Sequence, residues 1–82
     1  AQGGVSALVA DHKLITKRAL ELLAQSVILV HNHPSGSASP SAEDEAVTSR
    51  IAEAMKLFDI KLLDHIIISR EGDYSFRHFG KL

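Results

Sequence analysis

Val27-Ile28-Leu29-Val30-His31-Asn32-His33-Pro34-Ser35-Gly36, followed by Pro40-Ser41-Ala42-Glu43-Asp44, decides how this chain is read. A run of branched apolar residues ends in a His-x-His pair, turns through Pro-Ser-Gly, and leads into an acidic helix start. The run 27–30 is short and continuous, which predicts a strand buried on both faces, central in an α/β sheet. In extended backbone residues i and i+2 face the same side, so the rings of His31 and His33 can converge. Pro34 holds His33 to extended angles, and Gly36 permits the tight turn that brings the next helix back. Asp44 then falls in that helix's first turn, where the N-terminus favours an ionised carboxylate.

Two neutral imidazoles and a carboxylate form a three-ligand metal set that leaves a fourth position for water. That is the pattern of a catalytic zinc site, because structural sites are usually closed by four protein ligands. Zinc suits these donors, although other divalent ions can occupy them. The strand's C-terminal end is also where open α/β sheets place ligands. Each piece has a plainer reading. Ser41-x-x-Asp44 fits an N-cap hydroxyl with an acidic residue in the first turn, and Pro34-Ser35-Gly36 alone is an ordinary loop. Their joint order, strand to His-x-His to loop to acidic helix start, is what carries the metal reading. Capping and catalysis are compatible, since one hydroxyl can serve both.

Working outward, residues 5–10 read as a short strand and Asp11 as an N-cap. A helix is predicted over 13–24 from Leu14, Ile15, Ala19, Leu22 and Leu23 at helical spacing. A second helix is predicted over 41–58, with Val47, Ile51, Ala54, Met55 and Phe58 as its apolar stripe. A strand over 62–69, a turn at 70–73 and a last strand over 74–79 complete a hairpin. The 82 residues make one small domain. Its net charge of −1 gives no electrostatic reason to expect nucleic-acid or membrane binding. Absence of cysteine removes disulfides and thiolate metal sites and fits a reducing cytosol. No apolar run approaches the ~20 residues of a membrane span.

At these residues the chain resembles the JAMM (MPN+, or JAB) metalloproteases. His31-x-His33-Pro34-x-Gly36 and Ser41-x-x-Asp44 match their motif. The longer stretch resembles the bacterial RadC branch, through Gly3-Gly4, Val9-Ala10-Asp11, Ala19-Leu20, Pro40-Ser41 and Leu63-Asp64-His65-Ile66-Ile67. The resemblance implies a three-layer α/β/α sandwich of the cytidine deaminase-like (JAB/MPN) type, in the order β-α-β-α-β-β. It implies Zn2+ on His31, His33 and Asp44, with Ser41 stabilising the oxyanion during peptide or isopeptide hydrolysis in a bacterial cytoplasm. RadC-like proteins are traditionally labelled DNA repair proteins, a label these residues do not support physically.

The family's general base, a Glu on an earlier strand, has no counterpart among the thirty residues before His31. Glu21 is the only Glu there, and it reads as a solvated side chain on a polar helix face. The resemblance therefore implies an N-terminally truncated domain over 1–82, with that Glu and the first strands ahead of Ala1. Such a chain is expected to bind zinc and turn over slowly. Its sheet would expose an edge that invites pairing with another copy. The alternatives are a non-catalytic MPN-type interaction module and a DNA-repair-associated domain. A zinc nucleoside deaminase is excluded, because its Pro-Cys-x-x-Cys is absent.

Asp64-His65 stands out in an apolar strand. Either residue could orient a ligand imidazole, or the pair could be satisfied by backbone near a strand end. His12 and His78 read as exposed, Tyr74, Phe76 and Phe79 as packing, and Ser35 as a turn residue.

Overall fold

The computed structural model describes residues 12–34 and 36–82. The expected strand at 5–10, the Asp11 cap and the Ser35 turn lie outside the described residues. The order is α1 (His12–Glu21), β1 (Ser26–Asn32), α2 (Ala42–Leu57), β2 (Lys61–Ser69) and β3 (Gly72–Ser75). The described residues form a small α/β unit whose three strands make a mixed sheet in the order β1-β2-β3, with β1 parallel to β2 and β3 antiparallel to β2. The parallel pair needs a crossover, which α2 supplies.

Both helices end on a residue in the left-handed region, Leu23 at φ 52° and Asp59 at φ 58°. At each end a six-to-one bond and a five-to-two bond close the last turn: Ala24 to Ala19 and Leu23 to Leu20 after α1, Ile60 to Met55 and Asp59 to Lys56 after α2. These are Schellman closures. In the second, the bond brings Ile60 against Met55, and both side chains enter the core.

The core gathers Ile15 and Ala19 of α1, Leu29 of β1, Ile51 and Met55 of α2, and Ile60. Ile51 and Met55 are fully buried, and such side chains each contribute ~1.5–3 kcal/mol relative to exposure. Among the described residues the helices cover one sheet face, the one that presents Leu29, His31, His65 and Ile67. The described residues thus form two of the three layers the resemblance implies.

Four expectations need correction. Among the described residues the run 27–30 is buried on one face, since Ile28 is 53% exposed and Val30 37%, and β2 is the middle one of the three described strands. Phe58 lies at the C-cap of α2 and is exposed; Thr48 joins Ile51 and Met55 on the buried stripe instead. The first helix ends at Glu21, short of 24; in it Ile15 and Ala19 are buried and Leu14 is exposed, and Leu22 and Leu23, past its end, are exposed. The last strand runs Gly72–Ser75, earlier and shorter than 74–79. Beyond it the backbone coils, because His78 N–H donates to Ser75 Oγ at 3.0 Å, Phe79 N–H to Ser75 O at 3.2 Å, and Lys81 N–H to Phe76 O at 2.8 Å.

One irregularity positions the site. Val27 sits beside Leu62, but Ile28 sits beside Asp64, so Leu63 is an extra residue in β2. A bulge of this kind moves every later side chain to the other face. His65 therefore lies beside Leu29 on the helix-covered face, and Asp64 lies beside Ile28 on the other.

Candidate metal centre

His31, next to last in β1, lies on the buried face, 6% exposed. His33 follows two residues later, still extended, because its N–H donates to Ile68 O at 2.9 Å and prolongs the ladder with β2. Gly36, at φ 92°, turns the chain, and its carbonyl accepts from Glu71 N–H at 3.2 Å, which ties the loop to the β2–β3 turn. The chain then enters α2 through a capping box. Asp44 N–H donates to Ser41 Oγ at 3.0 Å, and Ser41 N–H donates to Asp44 Oδ2 at 2.9 Å. The plain capping reading of Ser41-x-x-Asp44 is thus part of the geometry. It also aims the Asp44 carboxylate at the histidines.

One donor atom from each of His31, His33 and Asp44 lies within 4.8 Å of the others. A tetrahedral ion with bonds of ~2.0–2.1 Å spaces its donors by about 3.4 Å, so a small closing movement suffices. The chemistry of the donors agrees with their spacing. His33 Nδ1 lies 3.1 Å from Ser37 O, a carbonyl that can only accept, so Nδ1 carries the hydrogen. In the neutral ring Nε2 is then bare, and it faces Asp44 Oδ2 at 3.0 Å. Two lone pairs at that distance repel. A proton between the two atoms makes the contact a charge-assisted hydrogen bond, and a metal ion shared by them would serve in its place. The residues present therefore fit a divalent metal.

Electrostatics favour an anionic Asp44 and disfavour charge on the buried rings of His31 and His65. Burial works to raise the Asp44 carboxyl, but the Ser41 backbone and hydroxyl bonds and the charges of His33 and His31 outweigh it and hold Asp44 below its usual range. Burial lowers His31, against the pull of Asp44 and with help from His33. Burial also pushes His65 down to about 4, aided by His31 and opposed by Asp44 and Asp64.

His65 and Asp64 part company. His65 is fully buried, its Nε2 is 2.7 Å from His31 Nδ1, and its ring stacks on Phe76 at 4.5 Å. Asp64 instead organises the C-terminal turn. Its Oδ1 accepts from His65 N–H at 2.7 Å and Arg77 N–H at 3.0 Å, and its Oδ2 accepts from Ser75 Oγ at 2.6 Å. The opposition of burial is again overcome, here by Ser75, Arg77 and the His65 N–H, so Asp64 stays below the usual carboxylate range. Glu21 is exposed on α1 and pairs with Lys17 and Arg18 at 3.5 and 3.8 Å. Among the aromatics, Phe76 is buried under His65, and Phe79, 57% exposed, stacks on Tyr74 at 4.6 Å.

Sequence reasoning passes over Thr48. Its Oγ1 lies 2.7 Å from Asp44 O and 2.6 Å from His65 Nδ1. The available signal is a polar residue on a buried stripe: 48, 51 and 55 follow the spacing of one helix face, and Thr48 is 1% exposed.

Among the described residues no helix is long and apolar enough to cross a membrane. The chain is similar to bacterial proteins named UPF0758. It is 48% identical over 75 residues to one from Streptococcus sanguinis, covering 92% of this chain and 33% of the relative. It is 43% identical over 82 residues to one from Burkholderia vietnamiensis, covering 100% of this chain and 32% of that relative. It is 41% identical over 80 residues to UPF0758 protein YfjY of Escherichia coli, covering 98% of this chain and 50% of that one. The chain thus spans a third to a half of the length of these relatives. Residues 1–81 match the RadC-like JAB domain, so this His-His-Asp cluster sits in a chain that belongs to the RadC-like JAB family.

Proposed function

We propose that the chain carries the metal-binding part of a zinc-dependent amide hydrolase, with His31, His33 and Asp44 as ligands and a peptide or isopeptide bond as substrate. One observation carries this reading above the others: His31, His33 and Asp44 each bring a donor atom within 4.8 Å of the other two. Two imidazoles and a carboxylate suit zinc, which when bound polarises a carbonyl and lowers the pKa of a bound water.

The chain's own residues hold and orient. Ser41 Oγ already accepts from Asp44 N–H, which leaves its hydroxyl hydrogen for a developing oxyanion. Glu21, ion-paired on the exposed face of α1, is not placed to take a proton. A base would come from the additional length of the relatives. Turnover by the 82-residue chain is then expected to fall roughly 10²–10⁴-fold below that of a full-length relative.

Elemental analysis of the zinc-dialysed chain, beside His33→Ala, tests the metal. About one zinc per chain, lost in the variant, is expected. No zinc in the wild type, or undiminished zinc in a folded His33→Ala, overturns the metal reading. Fluorogenic peptide and isopeptide libraries test the reaction, with the chain alone and with it joined to the upstream segment of a relative. Zinc binding without cleavage in either form overturns the hydrolase reading and leaves a binding module.

A further inference from the structure

Thr48 has one hydroxyl hydrogen and two close neighbours. Asp44 O, at 2.7 Å, is a carbonyl and can only accept, so the hydrogen points there. Thr48 Oγ1 must then accept from its other neighbour, His65 Nδ1 at 2.6 Å, which places a hydrogen on that nitrogen. The His65 ring is fully buried and stacked on Phe76, and among the described residues no carboxylate bonds to it, so it carries one hydrogen and its Nε2 is bare. His31 Nδ1, 2.7 Å from that Nε2, must donate to it. The remaining nitrogen of His31, Nε2, keeps its lone pair.

From this chain of contacts we propose that Thr48, acting through His65, is a positioning residue that locks His31 in the Nδ1–H tautomer and presents Nε2 to the metal. The inference rests on the metal reading of His31, His33 and Asp44. Asp44 then serves twice, since its carboxylate is one ligand and its carbonyl anchors the relay that sets another. His33 reaches the same tautomer by an independent anchor, the exposed carbonyl of Ser37. Partners that fix the tautomer of a ligating histidine are a general feature of metal sites, and their loss typically costs 10–100-fold in affinity.

The first test is made on the metal-free wild type. Nitrogen-resolved imidazole NMR near neutral pH should show His31 and His65 protonated at Nδ1 and bare at Nε2. A His31 spectrum with the hydrogen on Nε2 overturns the proposal. Zinc competition against a chromophoric chelator supplies the second test. Thr48→Val should weaken zinc about 10–100-fold and mix the His31 tautomers, and Thr48→Ser should restore both. Wild-type affinity in a folded Thr48→Val overturns the proposal. If Thr48→Val does not fold, the wild-type spectrum still decides. If the wild type binds no zinc, the metal reading fails alone, and the relay is judged by the metal-free spectrum.

Discussion

Acidifying the metal-free chain should destabilise it while Asp44 and Asp64 are still ionised. His65 is fully buried, and burial together with the charge of His31 holds it at about 4 against an ordinary 6.5. Its folded value lies below the unfolded one, so the unfolded chain takes the proton first. The stability it supports is complete above about pH 6.5 and is lost as the pH falls toward about 4. One pKa unit corresponds to ~1.4 kcal/mol, so His65 alone accounts for about 3 kcal/mol across that window. His31, also lowered by burial, acts in the same direction. Asp44 and Asp64 are held below their ordinary value of 3.8, so their contribution is lost only at lower pH still. A chain of 82 residues has roughly 4–12 kcal/mol in total, so the effect is a large share of it. The assay is urea unfolding by circular dichroism with chelator present, stepped from about pH 7.5 to about 4.5. In His65→Gln the amide oxygen can still accept from His31 but does not titrate, and the slope should shrink to the part due to His31. A flat wild-type profile, or a variant slope as steep as the wild type's, refutes this account of the buried ring.

Two further substitutions separate capping, turn and metal roles. Ser41→Ala removes the acceptor for Asp44 N–H and should cost about 1 kcal/mol in urea unfolding; no loss would mean the cap is not maintained in solution. Asp64→Ala strips an acceptor from the Arg77 and His65 N–H groups and should cost ~1–3 kcal/mol while leaving zinc affinity nearly unchanged. A large loss of zinc affinity in that variant would restore Asp64 as a partner of the ligands.

The parts of the site that lie along one stretch of chain are legible from residue order. His31 and His33 share a face because extended backbone alternates, and Asp44 meets them because a helix start follows the loop. The parts that depend on contacts between elements are not. Residue order marks Thr48 only as a polar residue on the apolar stripe; its role exists because β2 brings His65 beneath it. Residue order cannot choose between Asp64 and His65 either, because an extra residue in β2 decides which of them faces the helices. The apolar run 27–30 marks a strand in the right place but suggests two buried faces, since such a run does not say how many layers pack on it. The end of the hairpin is hidden because alternating aromatics suggest a longer strand. In fact Asp64 and Ser75 collect the backbone N–H groups of Arg77 and His78 and coil the chain.

The surplus Leu63 also bears on transplantation. A designer could copy His31-x-His33 and Ser41-x-x-Asp44 onto another parallel pair of strands and carry over all three donors. On an evenly paired strand, the residue beside Leu29 would be Asp64, and His65 would turn to the opposite side. The copied motif would keep its ligands and lose the buried neighbour of His31. A faithful graft must therefore bring a single apolar insertion from a strand that holds no ligand.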